Sequence, residues 1–262
     1  MTGPVHGDGH DQPKLSAIIS LHDSAAIVVF RGELAAPTGD QLRRQLGSSL
    51  TRFGPVVADI DDVVVRQSDL LTLFAEAVRE AGGWPKAKLA ILARHRHVRE
   101  MLRASTVAQR VAVADDLDLA FARLGRRPEL VDACWTVPPD PRRLAALRRE
   151  LRARLEDWQF PGEIEDVTLV ASELAANSID HARTQFTVRL DLTADWLSVS
   201  VRDGSPTPPR QQPPDPRAHR GRGLQLIAAL ADTWDVHPHA GGKTVRAGFR
   251  TRADQPPSRP DA

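Results

Sequence analysis

SELAANSIDHA, residues 172–182, spaces a carboxylate, an amide and an imidazole four residues apart, at Glu173, Asn177 and His181. The run closes a longer pattern, GEIEDVTLVASELAANSIDHA, in which Ile164, Val167, Ala171 and Leu174 recur at three and four residues. That period predicts an amphipathic helix with one apolar stripe. Glu173 and Asn177 then lie one turn apart on a neighbouring line, with His181 a further turn on. Taken alone, the same line also describes an ordinary solvated helix surface.

Three segments downstream give the line company. The strand-like WLSVSVRDG ends in Asp203 and Gly204. A carboxylate at a strand end can accept a hydrogen bond from an exocyclic amine, and a glycine after it lets a ligand ring approach; a plain turn aspartate has the same sequence. HRGRGLQLIAALADTW sets Gly221 and Gly223 directly ahead of an apolar-periodic helix, with Arg220 and Arg222 between and before them. Glycine-rich backbone at a helix start can aim amides at phosphate oxygens, although glycines also serve tight turns. HAGGKTVRAGF sets Gly241, Gly242, Lys243 and Thr244 between WDVHP and a last strand, a pattern shared with a simple glycine hairpin. Between the first and second of these, SPTPPRQQPPDPRAHR carries six prolines in positions 206–216, which predicts a partly ordered lid.

In that order, over about residues 142–250, the segments resemble the ATP-binding fold shared by gyrase, histidine kinases and MutL, most closely its anti-sigma factor, serine/threonine-kinase branch. The resemblance implies ATP and Mg²⁺ as cofactors. It makes Asn177 a holder of the metal and Glu173 the carboxylate that orients or deprotonates the attacking group. Asp203, with Gly204 beside it, becomes the adenine reader. Gly221, Arg222, Gly223 and Leu224 become the phosphate turn, and Thr244 is expected beneath the adenine near Asp203. His181 stays outside the chemistry. Many relatives show D-x-G-x-G after the strand, where this chain has DGSPTPP.

The chain's 262 residues, 41% hydrophobic, suffice for two domains. With 35 basic and 34 acidic residues there is no global charge that favours nucleic acid or an anionic membrane. The single cysteine, Cys134, excludes an internal disulfide and a cysteine-cluster metal site. No apolar run approaches the about 18 residues of a membrane span, so a cytoplasmic protein without membrane or direct nucleic-acid contacts is expected. The proline cluster VPPDP, residues 137–141, marks the expected domain boundary. Segments 1–14 and 253–262 are expected to be disordered tails, flanking domains at 15–137 and 138–252.

In the first domain, AAIVVFRG, PVVADIDDVVV, AKLAILA and RVAVA read as strands that alternate with the helical patterns TGDQLRRQLGSSL, DLLTLFAEAVREAG, HVREMLRA and DLDLAFARL. Thr38 is the expected cap of the first of these helices. Alternation predicts a sheet covered by helices, and the ATP-binding resemblance implies a histidine-kinase-type α/β sandwich after it, so the chain is expected to be α/β and α+β. Over about residues 15–127 the order resembles the STAS family of anti-sigma factor antagonists, with RGELAAPTGDQL as its early strand-to-helix turn and DIDDVVVRQSDLL as the segment leading to its phosphorylatable serine. The match puts that serine at Ser68, with Gln67 and Leu70 where relatives carry Asp and Gly. From chemistry alone, Ser68 is either a helix cap or a phosphate acceptor, and Asp69 beside it allows a permanently biased surface instead. The expected function is an ATP-binding regulator that phosphorylates a serine on a STAS antagonist; the alternative is a non-catalytic, ATP-gated protein that sequesters a sigma factor or an antagonist. The leucine stripe Leu144, Leu147, Leu151 and Leu155 suits either a homodimer seam or the packing face of one domain.

Overall fold

The computed structural model describes residues 13–22, 24–207 and 223–251. It divides the chain into two units, Met1–Pro128 and Glu129–Ala262, each with its own sheet.

The first unit is built on five strands in spatial order β1 (Leu15–His22), β2 (Ala25–Leu34), β3 (Pro55–Val65), β4 (Lys88–Leu92) and β5 (Ala112–Ala114). The β1 and β2 strands pair antiparallel, and the other neighbours are parallel. Parallel strands joined by helical crossovers are covered on both faces, so their residues need not alternate with polar ones. Thus Val56, Ala58 and Ile60 of β3 enter one core, while Val57 enters a second core on the opposite face. The first core lies under α1 (Ala36–Phe53), α2 (Thr72–Glu80), α3 (Arg96–Ala104) and the short α4 (Val107–Arg110), through Leu42, Leu46, Phe74, Leu102 and Val107. The second lies under α5 (Leu117–Leu124), through Ala120 and Leu124. Asp116 caps α5 by accepting from the Leu119 amide at 2.7 Å.

The expected strands and helices of this unit are present, joined by the unanticipated short α4, and three further points differ. The β1 strand has no counterpart in the sequence pattern: LSAIISLH leaves Ile18 and Leu21 more than half exposed and Ile19 49% exposed, so it shows no in–out alternation. Thr38 is not the cap of α1 but its third residue; Ala35 holds the cap position, and the Thr38 hydroxyl accepts from the Ala35 amide at 3.0 Å while donating to the Glu33 carbonyl at 2.6 Å. The boundary expected at residue 138 lies instead between Pro128 and Glu129.

The reason for the earlier boundary is β6 (Val131–Val137), which belongs to the second sheet because it pairs antiparallel with β7 (Phe186–Leu192) from Val131↔Leu192 to Val137↔Phe186. The prolines that follow it end a strand of the second unit rather than the first unit. The second sheet is antiparallel throughout, in the order β6, β7, β8 (Trp196–Asp203), β10 (Gly242–Arg250), β9 (Thr233–His239). Among the described residues three α-helices accompany it: α6 (Arg143–Asp157), α7 (Ile164–Asn177) and α8 (Gly223–Leu230). Here the strands do alternate. Leu197, Val199 and Val201 of β8 are buried, and the residues between them are more exposed. The leucine stripe of α6 packs into this unit's own core through Leu147, Leu151 and Leu155, at most 2% exposed, while Leu144 is half-buried. Arg152 of α6 pairs with Glu165 at the start of α7 and holds that carboxyl below its usual range. No helix among the described residues is long and apolar enough to cross a membrane.

Candidate functional site

The site gathers at the C-terminal end of α7, for a reason local to the sequence. After Asn177 the helix widens into one π-helical turn, Ser178–Ala182, which closes with the Arg183 amide donating to the Ser178 carbonyl at 3.1 Å and Arg183 in the left-handed region at φ 53°. Such single widened turns shift the angular spacing of side chains. The four-residue line through Glu173 and Asn177 therefore does not run on to His181, which is exposed.

Glu173 and Asn177, both partly buried, converge on the first residue of α8. A Cβ placed on Gly223 would stand 2.8 Å from Glu173 Oε2 and 3.9 Å from Asn177 Nδ2. Glycine lets the start of α8 come this close without displacing the carboxylate. Three of the residues expected at the phosphate end are thereby brought together by two helices. Leu224, next in α8, is buried at 5% exposure and anchors the helix rather than facing outward. Gly221 and Arg222, with Arg220 and most of the proline-rich loop expected as a lid, lie outside the described residues.

The second group forms around Asp203, at the end of β8 and 4% exposed. Its Oδ2 accepts from Ser178 Oγ at 3.0 Å, and its Oδ1 from the Ser205 amide at 2.9 Å. Lys243 Nζ bridges both oxygens, at 3.0 Å to Oδ1 and 2.9 Å to Oδ2, and also donates to the Ser205 carbonyl at 3.3 Å. Beside it the Gly204 amide donates to Thr184 Oγ1 at 3.1 Å. The ion pair is held in register by Gly242. Its φ is 141°, and a Cβ there would fall 1.9 Å from the Asp203 carbonyl oxygen, so the β10 backbone can close on β8 only with glycine at this point.

That register corrects one expectation. In β10 the partner of Asp203 is Lys243, and Thr244 pairs with Arg202. Direct partners across a sheet share a face, and successive residues alternate. Thr244 therefore lies on the opposite face from Asp203, and the lysine takes the place expected for the threonine. Two residues of the site, Lys243 and Ser178, were not anticipated. For Lys243 the signal was present: in KTVRAGFR it falls in step with Val245, Ala247 and Phe249, the buried face, whereas Thr244 falls in step with Arg246 and Arg250. Ser178 gave no signal, since its direction depends on the π-helical turn.

Ser68, in the first unit, is exposed at the start of a 3₁₀ turn, Ser68–Leu71, ahead of α2. The residue in the cap position is Gln67 and no side chain caps the turn, so Ser68 is not the helix cap considered from its sequence context.

The described residues contain no group of three His, Cys, Asp or Glu side chains placed to hold a metal. A metal at the Glu173–Asn177 end would accordingly rest on the Asn177 amide together with oxygens of ligand and water, a donor set that suits Mg²⁺.

Comparison with known proteins places these features in context. No curated protein matches the chain. Among solved structures, an anti-sigma factor antagonist from Mycobacterium paratuberculosis is similar at 17% identity and a TM-score of 0.38, over 43% of this chain and 96% of that one. The RsbU and RsbW domains of a Mycobacterium tuberculosis protein are similar at 20% identity and a TM-score of 0.37, over 48% of this chain and 33% of that one. The anti-sigma factor antagonist SpoIIAA in its unphosphorylated form is similar at 13% identity and a TM-score of 0.32, over 38% of this chain and 90% of that one. Residues 137–249, the stretch that contains Glu173, Asn177, Asp203 and Lys243, match the family model described as the histidine kinase-like ATPase domain, and the second unit therefore carries that domain.

Proposed function

We propose that the second unit binds Mg-ATP and transfers its terminal phosphoryl group to a serine of a STAS-type anti-sigma antagonist, as one member of a partner-switching pair. The observation that carries this reading is the convergence of Glu173 and Asn177 on Gly223, which sets a carboxylate and an amide against the start of α8. A serine hydroxyl is a weak nucleophile at neutral pH and needs a base to take its proton. Glu173 Oε2 is the group in position to receive it. Asn177 would hold the metal through its amide oxygen, and bound Mg²⁺ would offset the charge of the phosphates. The amides at the start of α8, freed by Gly223 from side-chain obstruction, favour an anion at the same place. Beside it, where Ser178 of the turn after Asn177 meets Asp203, the group around Asp203 would receive the nucleobase.

The acceptor serine is either on a separate antagonist or at Ser68 of this chain. Exposure of Ser68, with no capping role, supports its availability. The Gln67 and Leu70 replacements in its turn favour a separate partner. The second reading, a non-catalytic ATP-gated protein that sequesters a sigma factor or antagonist, is favoured by one feature: the Asp203 carboxylate is already fully engaged within the protein, so ligand entry must rearrange it. The test is incubation of the full chain with radiolabelled ATP and STAS partners, followed by mass spectrometry. Labelling of a partner serine that Glu173→Gln largely abolishes without loss of ATP binding supports the kinase. ATP binding without any serine labelled would replace it with the sequestering protein. Comparison with Ser68→Ala assigns any label on the chain itself.

A further inference from the structure

Among the described residues the first sheet ends in β1 and β5, and the second in β6 and β9. An edge strand exposes unpaired backbone, and proteins guard it with charge, proline or shortness. Three of these edges carry such guards: β5 has three residues, β9 holds Asp235 and Pro238, and β6 holds Asp132. Strand β1, LSAIISLH, has none of them. It runs eight residues without a bulge, contains no Lys, Arg, Asp, Glu or Pro, and leaves Ile18 56%, Ile19 49% and Leu21 72% exposed.

The backbone of β1 is in phase for a further strand. The Lys14 carbonyl accepts from the Glu33 amide at 2.9 Å, so in the unbroken register that follows, Ser16, Ile18, Ser20 and His22 turn their backbone groups toward β2. Leu15, Ala17, Ile19 and Leu21 turn theirs to the open edge. In keeping with this, the Leu15 carbonyl accepts from Gln41 Nε2 of α1, at 2.7 Å, rather than from β2. Among the described residues no strand pairs with the outward groups of Ala17, Ile19 and Leu21.

The side chains select the occupant. A two-fold axis normal to the sheet keeps each face on its own side, so only residues of the same parity can face each other across a β1–β1 pair. With Ile18 on the axis, it meets Ile18 of the second copy, while Ala17 meets Ile19, Leu15 meets Leu21 and Ser16 meets Ser20. All three exposed apolar residues are then covered by apolar ones, the serines face each other, and β1 brings no acidic or basic side chain to the seam. The outward amides and carbonyls of Leu15, Ala17, Ile19 and Leu21 satisfy one another, and the Leu15 carbonyl keeps Gln41 on its second lone pair.

We propose that the chain forms a two-fold dimer through β1, in which two copies of the first sheet join edge to edge with Ile18 at the axis. The interface lies in the first unit and does not depend on the nucleotide reading of the second.

Sedimentation velocity of the full chain over a concentration series tests it. The expected result is a reversible dimer with a dissociation constant on the order of 10 μM, since one strand edge is a small interface. Ile18→Lys sets two like charges against each other at the axis and should weaken the dimer at least about tenfold. Its thermal unfolding should be unchanged, because the position is exposed in the single chain. In a Cys134→Ser background, Ile18→Cys should cross-link two chains under mild oxidation, since facing residues of a non-hydrogen-bonded pair lie about 4.5 Å apart at Cα. Ser20→Cys, which faces Ser16, should not. A chain that stays monomeric well above the expected constant overturns the proposal, whether β1 is bare or covered by another segment of the same chain. So does a dimer that Ile18→Lys leaves intact, or cross-linking at Ser20→Cys without cross-linking at Ile18→Cys.

Discussion

Gly223→Ala separates the site's chemistry from the fold's stability. The new methyl carbon would lie 2.8 Å from Glu173 Oε2, whereas ordinary contact begins at 3.4 Å. The carboxylate must therefore withdraw by at least 0.6 Å, the difference between those two distances. It can do so at little cost, because the obstructing atom is the free end of a flexible side chain and Asn177 Nδ2, at 3.9 Å, is not pressed. Replacing glycine in a helical position also restricts the unfolded chain, a gain of about 0.4–1 kcal/mol. The net change in unfolding free energy is expected to stay within about 1 kcal/mol. Phosphoryl transfer should suffer far more, because a base displaced by about 1 Å from its working position costs on the order of 10²-fold in rate. The assay pairs urea unfolding with the initial rate of serine labelling at saturating ATP. Unchanged labelling in a variant of unchanged stability would refute the role given to the Glu173–Gly223 approach.

Other consequences follow from the same contacts. Asp203→Asn leaves Lys243 buried without its counter-charge and is expected to cost about 3–5 kcal/mol in chemical denaturation, part of which the double variant with Lys243→Met should recover. Leu151→Ala, at a position 0% exposed on the buried face of α6, should lower unfolding free energy by about 2–5 kcal/mol with no change in the denaturant slope. Glu165 is held below its usual range by its hydrogen bond to Arg152. A depressed carboxyl contributes stability above its unfolded pKa that is lost as pH falls through the folded one, so acid melting curves should flatten in Arg152→Ala.

How much of this was legible in the sequence depended on which forces wrote each part. The helices α6 and α7 were plain in their three-and-four periodicity, because each buries one stripe against its unit. Glu173 and Asn177 could be placed on one helix face, but their meeting with Gly223 depends on packing of α8, which no local pattern encodes. The boundary was misplaced because VPPDP is strong punctuation, whereas VDACWTV becomes a strand only through long-range pairing with β7. The β1 strand was hidden for the opposite reason: an edge strand with exposed Ile18, Ile19 and Leu21 lacks the alternation that burial imposes. The motif's position points to Thr244, although the period-two pattern of β10 sets Lys243 among the apolar residues. A lysine in step with Val245, Ala247 and Phe249 is a buried charge in need of a partner, and Asp203, in step with Leu197, Val199 and Val201, is the matching one.

The account stands most directly on calorimetric titration of the full chain with ATP, in the presence of Mg²⁺ and in its absence, for the wild type and Asn177→Ala. The expected result is binding that Mg²⁺ strengthens in the wild type, with Asn177→Ala losing most of that strengthening while retaining the metal-independent component held through Asp203. A folded chain that binds no ATP, or a metal dependence that Asn177→Ala leaves intact, would contradict it.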